Sequence, residues 1–182
     1  MKNFSQKTVS VLIWCTLIFL YAYSKTYKSN KKEVYDIKPK YVNSLKESDC
    51  YASEDDKDFA AGFKHGIIEK CKKLSKETPM RLDDSFVLKR IDVTEQLITY
   101  LYQFEFDKSE VSEEEWKDFL EESKKEIMTN LLTVTSETRK EFNISLSKTL
   151  ELADIRLEYI YSDINDSIIG AIKLDHFDFY GM

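Results

Sequence analysis

Three carboxylates come nearest to a catalytic arrangement in this sequence. Asp83 and Asp84 precede an apolar run and Asp92 lies near its end. Two carboxylates with different pKa values can act as general acid and general base. One hypothesis is therefore a hydrolase-type enzyme that uses a cluster of Asp83, Asp84 and Asp92. Aspartate is also common in turns, where its side chain accepts backbone hydrogen bonds, and we favour that explanation.

A second polar group is Asp163, Asn165 and Asp166, which lie close together near the carboxyl end. Carboxylate and amide oxygens are the ligands that Ca²⁺ prefers, but the segment lacks the glycine and distal glutamate of an EF-hand loop. The composition is that of a turn between two strands. We expect a turn here rather than a metal site.

Other catalytic and cofactor signatures are missing from the sequence. Its two histidines, His65 and His176, are far apart, and the spacing of His65 and Cys71 places them on different faces of a helix. No G-x-S-x-G elbow or phosphate-binding glycine motif is present. A net charge of −6 and a pI of about 5.1 argue against a nucleic-acid partner. We expect no metal, no cofactor and no catalytic residue, although the sequence does not decide whether the chain is an enzyme.

The amino-terminal segment decides the cellular location. Residues 8–24 contain no Asp, Glu, Lys, Arg, Gly or Pro. As a helix they would span about 25 Å, against about 30 Å for the hydrocarbon core of a bilayer. The segment fits an uncleaved signal anchor or a cleaved signal peptide, and less well a buried helix of a soluble protein. The residues expected to lie in the membrane include Val9, Leu12, Trp14, Leu17, Phe19 and Tyr21.

The side of the membrane is less directly encoded. Lys2 and Lys7 before the segment resemble the basic start of an export signal, whereas the lysines within residues 25–40 favour a cytoplasmic carboxyl domain. Because long domains translocate largely regardless of charge, we expect a single-pass membrane protein with an extracytoplasmic domain. The alternatives are a secreted or periplasmic protein after cleavage, and a domain that faces the cytoplasm.

Two cysteines follow this segment. Cys50 and Cys71 could form a disulfide in an oxidising compartment, closing a loop of about 20 residues. Two free thiols are the alternative, because two cysteines without a further framework are weak evidence for a disulfide.

Hydrophobic periodicity divides the chain into three parts. We expect a signal anchor or signal peptide at residues 1–24, a polar tether at residues 25–56 and a single α+β domain at residues 57–182. The domain pattern predicts a helix, a hairpin, two helices and a second hairpin. The simplest assembly is an antiparallel sheet of two hairpins packed against about three helices. The predicted elements cover residues 57–75, Phe86–Val93, Leu97–Phe106, a helix capped by Ser112, a helix from Ser136 to Leu152, and strands near residues 155–162 and 168–174.

Tyrosines alternate along two of these strands. Tyr100 and Tyr102 share one strand face, and Tyr159 and Tyr161 share one face of a later strand. Tyrosine is enriched at protein interfaces, so these side chains could form an interaction surface. The alternative is cross-strand packing under the helices, which we favour.

Residues 78–84, 86–93, 100–102 and 155–163 resemble a diffuse group of small exported or lipid-anchored bacterial α+β proteins of unknown function. The resemblance covers about residues 57–179 and implies export and the α+β fold, without a catalytic residue. Members of the group often place a glycine where this chain has Ala153-Asp154. Apart from the resemblance, the absence of catalytic signatures, the predicted tether and the compact acidic domain together favour a protein-binding or envelope-binding module, such as an immunity protein or an assembly accessory factor.

Overall fold

The computed structural model describes residues 52–180, save for the side chains of residues 134 and 137–142. Three α-helices, five β-strands and two short 3-10 helices form this part of the chain. In chain order they are α1 (Glu54–Ser75), β1 (Met80–Asp83), β2 (Phe86–Val93), β3 (Leu97–Phe104), a 3-10 helix (Lys108–Glu110), α2 (Glu113–Phe142), α3 (Leu146–Ala153), β4 (Arg156–Ser162), β5 (Ile168–Leu174) and a 3-10 helix (His176–Phe179). None of the helices in the described part is long and apolar enough to cross a membrane. The predicted anchor, the Cys50 partner and most of the predicted tether lie outside the described residues.

The strands form one sheet in the order β1-β2-β3-β4-β5. The two predicted hairpins are present as β2–β3 and β4–β5, and β1 adds a short antiparallel strand beside β2. The predicted purely antiparallel sheet is wrong, because β3 and β4 pair in parallel. Parallel neighbours need a long crossover connection, and α2 and α3 provide it.

The helices begin where side chains cap them. Ser53 and Asp56 form a capping box at the start of α1, three residues before the predicted boundary. The predicted box of Ser112 and Glu115 is confirmed: the Glu115 carboxylate accepts from the Ser112 backbone N–H at 3.0 Å, and the Ser112 hydroxyl accepts from the Glu115 N–H at 3.2 Å. These bonds lower the pKa of Glu115. Each box therefore satisfies backbone donors that the first helical turn leaves open.

The break between α2 and α3 differs from the prediction. Ser136 does not cap a helix, because α2 continues through it to Phe142. Asn143 then takes a left-handed conformation at φ 52°, and Ser145 caps α3 by accepting from the Lys148 N–H at 3.1 Å. At the other end of α3, Asp154 is also left-handed at φ 48°. This is the position where the resembling proteins often carry a glycine, the residue that adopts this conformation most easily.

The core lies between the helices and one face of the sheet. The inward residues of β3 and β4 are buried, as the alternation predicts, and so is the apolar stripe of α2. Gly170 of β5 lies directly under Leu120 of α2: a Cβ built at Gly170 would come within 2.5 Å of Leu120 Cδ1. The helices leave the opposite face of the sheet partly exposed, with half-buried residues alternating with buried ones along β3.

Candidate interaction surface

The structure separates the carboxylates of the enzyme hypothesis. Asp83 ends β1, Asp84 is exposed in the following turn, and Asp92 lies near the far end of β2. The length of β2 between the turn and Asp92 is about 20 Å at ~3.3 Å per residue. The Asp83 carboxylate accepts from the Ser85 backbone N–H at 2.7 Å, and Asp92 pairs with Arg90 at 2.9 Å. The three carboxylates therefore do not meet in one site.

The histidines and other metal-ligand types are equally scattered. His65 is exposed on α1, and His176 contacts the ring of Phe177, with 3.9 Å between the ring centroids. Among residues 52–180 no group of three or more His, Cys, Asp or Glu side chains is arranged to hold a metal ion.

Asp163 serves the turn between β4 and β5. Its carboxylate is buried and accepts three backbone N–H groups: Asn165 at 2.9 Å, Ser167 at 2.8 Å and Lys108 at 3.3 Å. Asn165 reaches the Asp107 carboxylate at 2.7 Å. Asp163 therefore fixes its own turn and ties it to the loop that follows β3.

Replacing Asp163 with asparagine should lower the free energy of unfolding by about 2 kcal/mol, because hydrogen bonds to a charged group are lost and an amide N–H meets a backbone donor. Urea unfolding of Asp163→Asn measures this change. Asp84→Asn is the matched control and should stay within about 0.5 kcal/mol of the unmodified chain, since Asp84 is exposed. Equal stabilities of the two variants would contradict the role of Asp163.

The tyrosines proposed as an interaction surface are buried instead. Tyr100, Tyr102, Tyr159 and Tyr161 point under the helices and are at most 6% exposed. Across the β3–β4 seam the rings stack: the centroids of Tyr100 and Tyr159 are 5.0 Å apart, and those of Tyr102 and Tyr161 are 5.6 Å apart. These tyrosines therefore pack across the strands under the helices, because their exposed area is too small to contact a partner.

Burial changes the acid–base behaviour of this layer. The Cys71 thiol lies 3.4 Å from the Tyr100 hydroxyl, and burial raises the pKa of Cys71 from 9.0 to about 12. Burial also raises the pKa values of Tyr100, Tyr159 and Tyr161. Cys71 is therefore a protonated, inert thiol in the described structure. Its pairing with Cys50 stays a prediction, since Cys50 lies outside the described residues.

These shifts predict a loss of stability at alkaline pH. Above about pH 9 the unfolded chain releases protons that the folded core retains, so rising pH favours the unfolded state. We expect the free energy of unfolding to fall by about 5–6 kcal/mol between pH 8 and pH 11, with about 1 kcal/mol from each of the three tyrosines and about 2–3 kcal/mol from Cys71. Urea titrations at each pH measure this loss.

Tyr159→Phe is the control for this loss. Among the described residues the Tyr159 hydroxyl has no hydrogen-bond partner, so its removal should leave stability at pH 7 unchanged within about 0.5 kcal/mol. At pH 11 the variant should lose about 1 kcal/mol less than the unmodified chain, since one ionising phenol is gone. Identical pH profiles for the two proteins would contradict the assignment.

The exposed face of the sheet carries an apolar row that sequence reasoning missed. Leu101 of β3 pairs with Ile160 of β4, and Ile160 pairs with Ala171 of β5. Leu101 and Ile160 are half-buried and Ala171 is exposed. We call these three residues the open-face row. The available signal was the strand pattern itself, because Leu101 and Ile160 are apolar at positions where alternation calls for a polar residue.

A polar row borders the open-face row on one side. Thr99 pairs in register with Asp92 and with Glu158, and Glu158 pairs with Lys173. The Thr99 hydroxyl donates to Glu158 at 3.4 Å, and the Lys173 ammonium lies 3.3 Å from the same carboxylate. Charges of both signs are therefore tied together along this border.

The other border is held by the turn after β4. Gln103 pairs with Val87 and with Ser162, and its side-chain amide donates to Asp166 at 2.8 Å. Lys89 forms an ion pair with the same aspartate. The open-face row thus lies between two rows whose polar members are hydrogen-bonded, with the apolar Val87 at the β2 end of the second row.

No protein-family model matches the sequence, and no curated protein matches it either. Two solved structures are distantly similar. A protein of Pseudomonas aeruginosa regarded as secreted is 12% identical, with a TM-score of 0.34, over 69% of this chain and 96% of its own. A type 2 secretion system pilotin from Vibrio vulnificus is 9% identical, with a TM-score of 0.37, over 71% of this chain and 100% of its own. At these TM-scores the two likenesses assign neither a fold family nor a function.

Proposed function

We propose that this chain is a membrane-tethered binding module that works on the extracytoplasmic side and holds a protein partner on its open sheet face. The observation that carries the proposal is the open-face row, an apolar centre set between two polar rows. The part of this row that water still reaches (half-buried Leu101 and Ile160 and exposed Ala171) gains free energy when a partner covers it, at about 25 cal/mol per Å². The charged side chains around the row favour a partner whose charges are arranged in the complementary pattern.

The chemistry of the surface indicates the kind of partner. The bordering side chains carry both signs, including Arg90, Asp92, Glu158 and Lys173, whereas nucleic acid and anionic lipid both select for excess positive charge. A folded protein with an apolar patch and mixed charges fits best. An immunity protein that neutralises a toxin at the membrane and an accessory factor for envelope assembly both belong to this class.

The proposed location rests on residues 8–24. This uncharged apolar segment follows the basic Lys2 and Lys7, the order of an export signal. A tethered domain would then meet its partner at the membrane surface, where the tether of residues 25–56 raises the local concentration of the domain near a membrane-bound partner.

The proposed side of the membrane is tested by a reporter enzyme fused after Met182. A reporter that matures only outside the cytoplasm should be active in the full-length fusion, and fractionation should recover it with membranes. Replacing Leu12 and Leu17 together with lysine should abolish that activity, because charge in the apolar segment opposes insertion. Activity only from a reporter that requires the cytoplasm would reverse the orientation.

The proposed binding face is tested by photo-cross-linking in intact cells. A benzophenone amino acid at Ile160 should give a discrete adduct whose mass differs from that of two copies of the chain. The same group at Glu122, exposed on α2, should not give it. Residue 160 lies on the open face, whereas residue 122 lies on a helix. Comparing the two positions therefore distinguishes cross-linking at the open face from non-specific cross-linking.

A second substitution tests whether the cross-link depends on the apolar residues of the open face. Leu101→Glu in the chain labelled at residue 160 should remove at least about nine-tenths of the adduct, because it places a charge beside the apolar contact. An adduct that persists after Leu101→Glu, or forms equally from residue 122, would contradict the proposed face. Identification of the adduct by mass spectrometry names the partner.

A further inference from the structure

We infer that β5 is a self-association edge, along which two copies of this chain pair their β5 strands antiparallel about a twofold axis. The inference goes beyond the proposed binding role, since it concerns the edge of the sheet and a second copy. It starts from a difference between the two edge strands, β1 and β5.

The β1 edge is protected against pairing. It has only four residues and a register shift between Arg81 and Asp83. Arg81 spans to Glu105, with 2.6 Å between Nη2 and Oε1. Short length, irregular register and edge charges are the devices by which native sheets avoid new strand partners.

The β5 edge is longer and carries fewer of these devices. It has seven residues, without proline, its one charged residue is Lys173, and its register with β4 shifts between Ile168 and Gly170. In the described part of the chain β5 pairs with β4 alone, so its outer backbone N–H and C=O groups face away from the sheet. A long apolar edge of this kind is a template for another strand.

Exposed apolar side chains lie at both ends of β5. Among the described residues, four large apolar side chains are exposed: Ile164 (53%), Ile168 (66%), Phe177 (72%) and Tyr180 (82%). Ile164 lies in the turn before β5, Ile168 is the first residue of β5, and Phe177 and Tyr180 follow its end. Their grouping around one edge strand points to an occupant that covers the whole strand.

A second copy fits this arrangement because the edge is self-complementary. Antiparallel pairing brings the start of one β5 beside the end of the other, so the exposed isoleucines of one copy approach Phe177 and Tyr180 of the second. Pairing centred on Ala171 places Ala171 opposite Ala171 and Gly170 opposite Ile172, within the part of β5 that has regular register. Lys173 then faces Ile169 rather than another Lys173, which avoids like-charge opposition. One patch used twice about a twofold axis is the commonest form of homodimer.

The test uses the full-length chain in detergent micelles, with sedimentation equilibrium as the measurement. The unmodified chain should be dimeric at micromolar concentration. Ala171→Lys, which places two lysines opposite each other, should weaken dimerisation at least about tenfold. Ala61→Lys is the matched control, because Ala61 is exposed on α1, and it should leave dimerisation unchanged.

Mixing two variants of opposite charge distinguishes a loss of β5 pairing from misfolding caused by the substitution. Ala171→Lys and Ala171→Glu should each be monomeric alone and form a mixed dimer together, which a misfolded variant would not do. A monomeric unmodified chain, a dimer that Ala171→Lys leaves intact, or charged variants that fail to pair would each overturn the inference. The second of these outcomes would place the dimer contact outside β5.

Discussion

The parallel pairing of β3 with β4 is the contact on which the rest of this structure depends. Two hairpins are marginal as separate units, and this seam merges them into one sheet. The seam is packed by stacked tyrosines, with Tyr100 over Tyr159 and Tyr102 beside Tyr161. Because parallel strands need a crossover, the chain between them must leave the sheet and return. α2 and α3 fill that crossover and cover the inner face.

Sequence periodicity predicted the strands well and their directions poorly. Alternation identifies which side chains of β3 and β4 face the core, but the same alternation suits either strand direction, so it could not reveal the parallel seam. The Ser136 boundary failed for a local reason. Around it, threonine hydroxyls donate to carbonyls four residues earlier, as Thr135 does to Leu131 at 2.6 Å and Thr133 to Thr129 at 2.8 Å. Such residues bond within the helix instead of ending it.

The candidate site could be predicted less well than the fold, because reactive residue types do not mark a binding face. Carboxylates drew attention to Asp83 and Asp92, which the strand β2 holds apart. The informative residues were Leu101 and Ile160, whose apolar character breaks a polar series on one strand face. Their direct pairing became visible only when the parallel register was known. One exposed apolar side chain on a strand is common. Two such side chains paired on neighbouring strands form a continuous apolar surface.

The polar frame also determines how the open face can work. Asp166 accepts from Gln103 of β3 and pairs with Lys89 of β2, and the adjacent Asp163 anchors the turn through three backbone N–H groups. On the opposite border Glu158 joins Thr99 to Lys173. Several of these side chains stay exposed, Lys173 to 79% and Asp166 to 65%, so their bonds hold them loosely. In the proposed binding role, a partner would therefore meet a fixed strand backbone with polar side chains that it still has to order.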